Sequence, residues 1–467
     1  MLVRRQFPLS AMVMLLFVTM FGGVTRASAA DATFTARVGN YTAGFIEPER
    51  IRHHRYELQL RQTAELTPRF KTAIEARLRF DAALYPDERA PQRDLSDAVR
   101  DDEMSEADIR QAYVDWLGDL ASLRIGLQQI DWVESLSTRS SDVLTPVDLR
   151  FGGFGGSGDN IVPMAAASIN HRFVAGSLEW LLVPAPKPHR LARGANGYGY
   201  YESLSRIGDP RLEREIKSGS IPESGKSMEG GVRWLGNAGD FDMTLLAYRG
   251  HQRSPTLVLS RPDPVDPRRI TIEETFPRCN TFGAFSSWSG DSAVLRFIGL
   301  FEPEREARVF SRLSPEPRRI MESRLRGGFG WDYVYSKDLK IYSEHYLTRT
   351  RAYYADEDSR NAPAIDDPID DTWSTSLRLT NETFDDVFAT LDGVLTGPER
   401  SWTISPQLTI TMLSDYKLSF GANFIRSISE TSAFEPLRDA SHVWLALDAW
   451  FDGKRFGAEE SNTAAVR

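Results

Sequence analysis

Apolar and polar side chains alternate along the chain in strand-length stretches, each about ten residues long. Over residues 70–84, Phe70, Thr72, Ile74, Ala76, Leu78, Phe80, Ala82 and Leu84 fall on one parity, and Lys71, Ala73, Glu75, Arg77, Arg79 and Asp81 on the other. Successive side chains of a strand point to opposite faces, so a period of two predicts strands with one apolar and one charged face. Tyr56, Leu58 and Leu60 oppose Arg55, Glu57, Gln59 and Arg61. Leu123, Ile125 and Leu127 oppose Arg124, Gly126 and Gln128, and the same alternation runs through 241–247, 373–379 and 416–423. Parity alone does not say which face is inside.

Turn residues pair these stretches into hairpins. Short connections are predicted at Leu66-Thr67-Pro68, Gly118-Asp119, Ala175-Gly176, Gly236-Asn237-Ala238-Gly239, Ser289-Gly290-Asp291, Ser336-Lys337-Asp338, 381–386 and Ser414-Asp415. Eight hairpins give 16 strands; a strand near 34–46 and a last one near 441–451 bring the total to 18. Longer polar connections lie near 86–106, 133–160, 184–227, 251–280, 303–320, 353–371 and 430–439. An even count of short-turned hairpins with long loops between them is the pattern of a transmembrane antiparallel β-barrel of 16–18 strands, with both termini at the short-turn, periplasmic end. The charged face then lines the lumen. Trp116, Trp132, Trp234, Trp288, Trp331, Trp402, Trp444 and Trp450 sit near strand ends, where an interfacial aromatic girdle is expected.

The leader agrees with export. Residues 1–30 carry Arg4 and Arg5, an apolar run over 12–24, and Ala27-Ser28-Ala29-Ala30 as a small-residue exit, which predicts a signal peptide. After Ala30 there is no run of 18 apolar residues, so no helix is expected to span a bilayer. Mean hydropathy of −0.36 does not argue against a barrel, because only alternate residues face lipid. Cys279 is the one cysteine, so no internal disulfide forms. The formal charge of −9 becomes −12 once Arg4, Arg5 and Arg26 leave with the leader, which argues against a nucleic-acid partner. The expected organisation is a signal peptide (1–30), a barrel (31–452) and a polar tail (453–467).

One segment carries a more specific signal. Arg124, Gly126 and Gln128 form Arg-x-Gly-x-Gln, Trp132 follows, and Asp142, Pro146, Asp148 and Arg150 form Asp-x-x-x-Pro-x-Asp-x-Arg. This resembles a porin-like outer-membrane β-barrel family of unknown function, with some likeness to alginate-export-type barrels. Val133 stands where that family usually has Gly. The resemblance implies a cell outer membrane location, with surrounding lipid and lipopolysaccharide and the barrel-assembly machinery as partners. Such barrels commonly end on an aromatic residue that this machinery reads; Phe451 or Phe456 would serve here, ahead of the tail. Physically, Gly126 leaves room for another backbone to approach, and Asp142 and Asp148 suit lumen arginines. Residues 133–160 are therefore expected to fold inward and narrow the barrel, the alternative being a capping extracellular loop.

Other clusters read more simply. The Gly-rich run 151–158 lacks the Lys-Ser/Thr ending of a phosphate loop. Acidic residues over 94–108 and 356–371 match no calcium-loop spacing and read as solvated loops. The Glu/Arg alternation over 302–326 suits internal ion pairing or an anionic ligand. The seven histidines are scattered, and no hydrolase or metalloprotease signature occurs. No catalytic residue, metal ligand or cofactor is assigned. Barrels of this size can hold an aqueous channel, so the expectation is a porin-like channel for passive passage of a small polar or ionic solute. Its lumen and constriction residues would be Arg61, Glu75, Arg77, Arg79, Arg124, Gln128, Asp142, Asp148 and Arg150. The alternatives are an export or secretion barrel, a structural barrel plugged by 184–227, and an outer-membrane enzyme.

Overall fold

The computed structural model describes residues 32–45, 50–82, 104–130, 132, 144–150, 160–191, 213–217, 219–221, 225–259, 269–309, 318–354, 371–384, 386–398, 400–412, 415–427 and 441–452. The leader, the tail and Asp142 lie outside these. The strands in chain order are β1 (Ala32–Phe45), β2 (Arg50–Thr67), β3 (Phe70–Asp81), β4 (Ser105–Leu117), β5 (Ala121–Gln128), β6 (Met164–Phe173) and β7 (Gly176–Ala185). Then follow β8 (Glu213–Lys217), β9 (Glu229–Ala238), β10 (Phe241–His251), β11 (Thr256–Leu259), β12 (Arg269–Thr275), β13 (Arg278–Ser289) and β14 (Ala293–Val309). The last are β15 (Arg318–Val334), β16 (Leu339–Tyr354), β17 (Asp371–Phe384), β18 (Val387–Gly397), β19 (Ser401–Met412), β20 (Tyr416–Arg426) and β21 (His442–Asp452).

All but β8, β11 and β12 form one 18-stranded sheet in which each strand pairs with its neighbour in the chain. The last strand pairs with the first, from Thr35 opposite Asp452 to Phe45 opposite His442. The sheet therefore closes into an antiparallel barrel of 18 strands, as the turn count predicts. All eight predicted short turns join paired strands. At the opposite end two links are also short, 46–49 and 398–400, while the rest are long. Two of the long connections, read from sequence as plain polar loops, contain strands of their own: β12 pairs parallel with β8 and antiparallel with β11. Alternation is weak in such short segments, so nothing in the pattern marks them.

Burial decides the question that parity leaves open. On β3, Phe80 is 38% exposed whereas Arg77 is 2% exposed. Val38, Ile125, Trp180, Leu245, Leu325 and Leu445 also lie exposed on the outer face. The apolar parity faces outward and the charged parity inward, the inverse of a water-soluble sandwich.

The aromatic expectation needs correction. Trp116, Trp234, Trp288 and Trp402 lie opposite the exposed Phe70, Leu245, Phe241 and Leu395, and Trp331 shares their face through Leu295. Trp132, Trp444 and Trp450 instead lie inside. Trp132 belongs to a buried apolar cluster. Trp444 is opposite the fully buried Ala43, and the Arg37 guanidinium lies 5.5 Å from the Trp450 ring centroid. Closeness to a strand end did not reveal the side.

Two local devices shape the wall near the inward segment. Between β3 and β4 the register shifts after Glu75, which faces Gln111, so that Ala76 faces Ile109 and Arg110 is bulged. A bulge adds one residue to one strand only; Arg110 turns inward and is 1% exposed. Gly126 on β5 has a φ of 138°. A Cβ there would stand 2.2 Å from the Ala112 carbonyl oxygen and 2.7 Å from Tyr113 Cα. The close approach is thus that of the adjacent strand. Gly126→Ala is expected to cost about 1–3 kcal/mol from backbone strain alone, read as a lower urea midpoint of the refolded barrel; an unchanged midpoint would contradict this.

Candidate functional site in the barrel lumen

The inner rows of β2 and β3 are cross-strand partners: Arg55 faces Asp81, Glu57 faces Arg79, Gln59 faces Arg77 and Arg61 faces Glu75. Opposite charges set directly or diagonally across a ladder attract. Arg79 reaches Glu57 at 3.4 Å, Gln59 donates to Glu75 at 2.6 Å, and Arg61 stands 3.9 Å from Glu75. On β4, Asp108 takes Arg77 at 3.1 Å and Arg110 at 3.6 Å.

Residues 144–150 run against this wall. The Asp148 amide donates to the Asn160 carbonyl at 2.7 Å, the Leu149 amide to Arg190 at 2.7 Å, and the Arg190 amide to Val147 at 2.9 Å. The side chains continue the network. Arg150 donates to Asp148 at 2.7 Å and to Glu106 at 2.8 Å. Arg79 and Arg190 each lie 3.9 Å from Asp148, and Arg190 also pairs with Glu106. Burial disfavours the charged Asp148 carboxylate, but Arg150, Arg79 and Arg190 outweigh it and bring its pKa from 3.8 down to about 2.

A second anchor holds the same segment from the other side. Arg253 donates to the Leu144 carbonyl at 2.8 Å and to the buried Glu229 carboxylate at 2.7 and 3.1 Å. Tyr248 and His251 also donate to Glu229. The Val147 amide donates to His189 Nδ1 at 2.9 Å. Burial, with the Arg253 charge, lowers the His189 pKa to about 4, which suits an imidazole acting as acceptor. Beneath these groups lies an apolar cluster of Ile130, Trp132, Leu144, Met164, Ala166, Leu181, Val183, Leu246 and Tyr248. The interior is therefore polar in places and dry in others.

The structure brings Arg77, Arg79, Asp148 and Arg150 into one network, with Arg61 and Glu75 continuing the row. Arg124 pairs instead with Asp115 at 2.6 Å, and its guanidinium carbon lies 4.1 Å from the Tyr113 ring centroid. Gln128 is buried and donates to the Ala166 carbonyl at 3.0 Å. Asp142 is outside the described residues. Missed from sequence were Glu106, Asp108 and Arg110, where the bulge breaks parity, and Arg190, Arg253 and Glu229, whose meeting depends on loop folding. Of the Glu/Arg alternation over 302–326, described side chains pair internally: Arg326 with Glu302 at 3.4 Å, and Arg305 and Arg324 each 3.2 Å from Glu322; Arg312 and Glu316 lie outside the described residues.

Two outcomes follow. Arg253→Ala leaves the Glu229 carboxylate buried without its main counterion, at a cost of about 3–5 kcal/mol. Hydrogen exchange at 144–147 should rise sharply; protection equal to wild type would refute the anchor. Asp148 has a depressed folded pKa, so its contribution of roughly 2 kcal/mol is complete above its ordinary value and fades as pH falls toward the folded one. Protection factors at 147–150, taken relative to the intrinsic exchange rate at each pH, should be flat from about pH 7 to 5 and fall between about pH 4 and 2, and this step should vanish in Asp148→Asn.

No protein-family model matches the chain, and no curated protein matches it. Solved structures do. OccK3 (OpdO) of Pseudomonas aeruginosa is 10% identical with a TM-score of 0.50, covering 93% of this chain and 99% of that one. OpdK, an outer membrane protein of Pseudomonas aeruginosa, is 10% identical with a TM-score of 0.47, covering 91% and 99%. A loop L8 deletion mutant of OmpT, an outer membrane protein of Vibrio cholerae, is 7% identical with a TM-score of 0.41, covering 90% and 99%. At 10% identity the OccK3 likeness speaks for the fold alone: this chain is an 18-stranded antiparallel barrel of the outer-membrane type.

Proposed function

We propose that this barrel resides in the outer membrane and lets a small polar or ionic solute pass down its lumen. The observation that carries this reading is the inversion of its faces. Exposed apolar side chains cover the outside, while ion pairs and hydroxyls line the inside. Charges and hydroxyls on an inner face are stabilised by one another and by water or a polar solute in the lumen, which an apolar filling would not supply. Residues 144–150 narrow the passage beside β2–β4, and paired charges of both signs set a field across it. Lipid and lipopolysaccharide surround the outer belt in this reading. Phe451, exposed at the end of β21, is the residue offered to the assembly machinery.

The buried cluster around Trp132 favours a second reading, a structural barrel whose lumen is plugged. Planar-bilayer recording of the refolded protein separates the two: steady conductance supports the channel, and silence supports the plug. Within the channel reading, Asp148→Ala removes the carboxylate that Arg79, Arg150 and Arg190 share. Conductance should rise and the reversal potential in a salt gradient should move toward anions. Identical conductance and selectivity would rule out a constriction at Asp148.

A further inference from the structure

The inner wall of β17–β20 differs from that of β2–β4. A cavity of about 270 Å³ lies there, lined by Arg378, Asp392, Thr403, Ser405, Gln407 and Asn423 among others. Taking about 30 Å³ per water, it has room for about nine, the scale of one small ring-shaped solute. Its origin is in the strand pairing. β19 and β20 pair at Ile404 with Phe424 and again at Gln407 with Gly421, but not at Ser405 and Pro406 between them. Proline has no N–H to give to a ladder, and the pairing of β19 with β20 is interrupted there while that of β19 with β18 continues through Leu391 and Pro406.

The chemistry of the lining is specific. Its two charges neutralise each other, with Arg378 donating to Asp392 at 2.5 Å. The other polar groups are hydroxyls and amides, set beside the apolar Val394, Pro406, Ala422 and Trp444. Gln407 is oriented by donating to Thr409 at 3.0 Å, and Thr409 bonds Ser419 at 3.0 Å, which leaves the Gln407 amide oxygen as an acceptor. The Asn423 amide nitrogen meets His442 at 2.9 Å, leaving the Asn423 carbonyl oxygen. Among the described residues, the Thr403 and Ser405 hydroxyls have no protein partner. A hydroxyl both donates and accepts. A row of uncommitted hydroxyls and amide oxygens beside a neutralised ion pair complements a ligand that itself donates and accepts and has no net charge.

We propose that this cavity is a binding site for a neutral, polyhydroxylated solute, a monosaccharide or polyol, on its way along the lumen. The proposal rests on the channel reading above and names its substrate class. A carboxylate would find no uncompensated cation here, and an apolar solute would strand the Thr403 and Ser405 hydroxyls.

The test uses glucose as the probe and the full-length refolded barrel. Glucose titrated into the bilayer chamber should reduce ion current in a saturable way, and calorimetry should give a matching affinity. The double variant Thr403→Val, Ser405→Ala, which keeps the volume of the lining, should raise the half-blocking concentration about tenfold, the worth of one to two hydrogen bonds. Heat-modifiable migration checks that the variant is folded; if it is not, Gln407→Leu carries the same expectation. Steady current with no glucose block, or a block unchanged in the folded variants, overturns the site and leaves the channel standing. No current with retained, variant-sensitive glucose binding overturns the channel and supports the site.

Discussion

Everything in this molecule depends on one constraint: a backbone exposed to hydrocarbon has no water to bond, so every amide and carbonyl must find a partner within the protein. The pairing of β21 with β1 meets it, removing the two free edges that an open sheet would leave. Closure then sets the rest. With strands paired all around, one parity must face the outside and the other the enclosed space. The apolar residues take the first and the arginines and carboxylates the second.

Enclosing so many charges is costly, and the interior shows how the cost is met. Arg77, Arg79, Arg150 and Arg190 share Asp108, Glu57, Glu106 and Asp148, so each desolvated group has partners of opposite sign. The bulge at Arg110 and the inward run of 144–150 are part of this arrangement. The first adds an inward charge to β4, and the second adds Asp148 and Arg150, which pair with each other and with Arg79 and Glu106 of the wall. Arg253 ties that segment, through Glu229, to β9 and β10. This inward network is therefore built by side chains from β2, β3, β4, β9 and β10 and from the loops that carry Asp148, Arg190 and Arg253, held by reciprocal ion pairs.

Around the circumference the lumen is not uniform. One arc is densely charged, a second is dry around Trp132 and Leu246, and a third, near Pro406, offers hydroxyls and amides. The three arcs of the interior thus differ in polarity and charge. That division follows from which strands carry Arg and Glu and which carry Ser, Thr and Asn at inward positions, together with the proline that unlaces β19 from β20.

The sequence by itself determined the strand count, the short turns and the two-faced character of each strand, because period-two alternation and turn chemistry are local properties. It also placed Arg61, Glu75, Arg77 and Arg79 on one face, since they share parity on adjacent strands. It marked Asp148 and Arg150 through a motif without showing their partners. Alternation by itself left the inner face open, because a sandwich and a barrel share it; the hairpin count and long loops pointed the charged face inward, and burial in the tertiary structure bears this out. Only the tertiary structure sent Trp132, Trp444 and Trp450 inward and gave Arg124 to Asp115. It alone brought Glu229 from β9, and Arg253 and Arg190 from distant loops, to the inward segment. Contacts of that kind join residues far apart in the chain, and no local pattern encodes a distance that exists only after the barrel has closed.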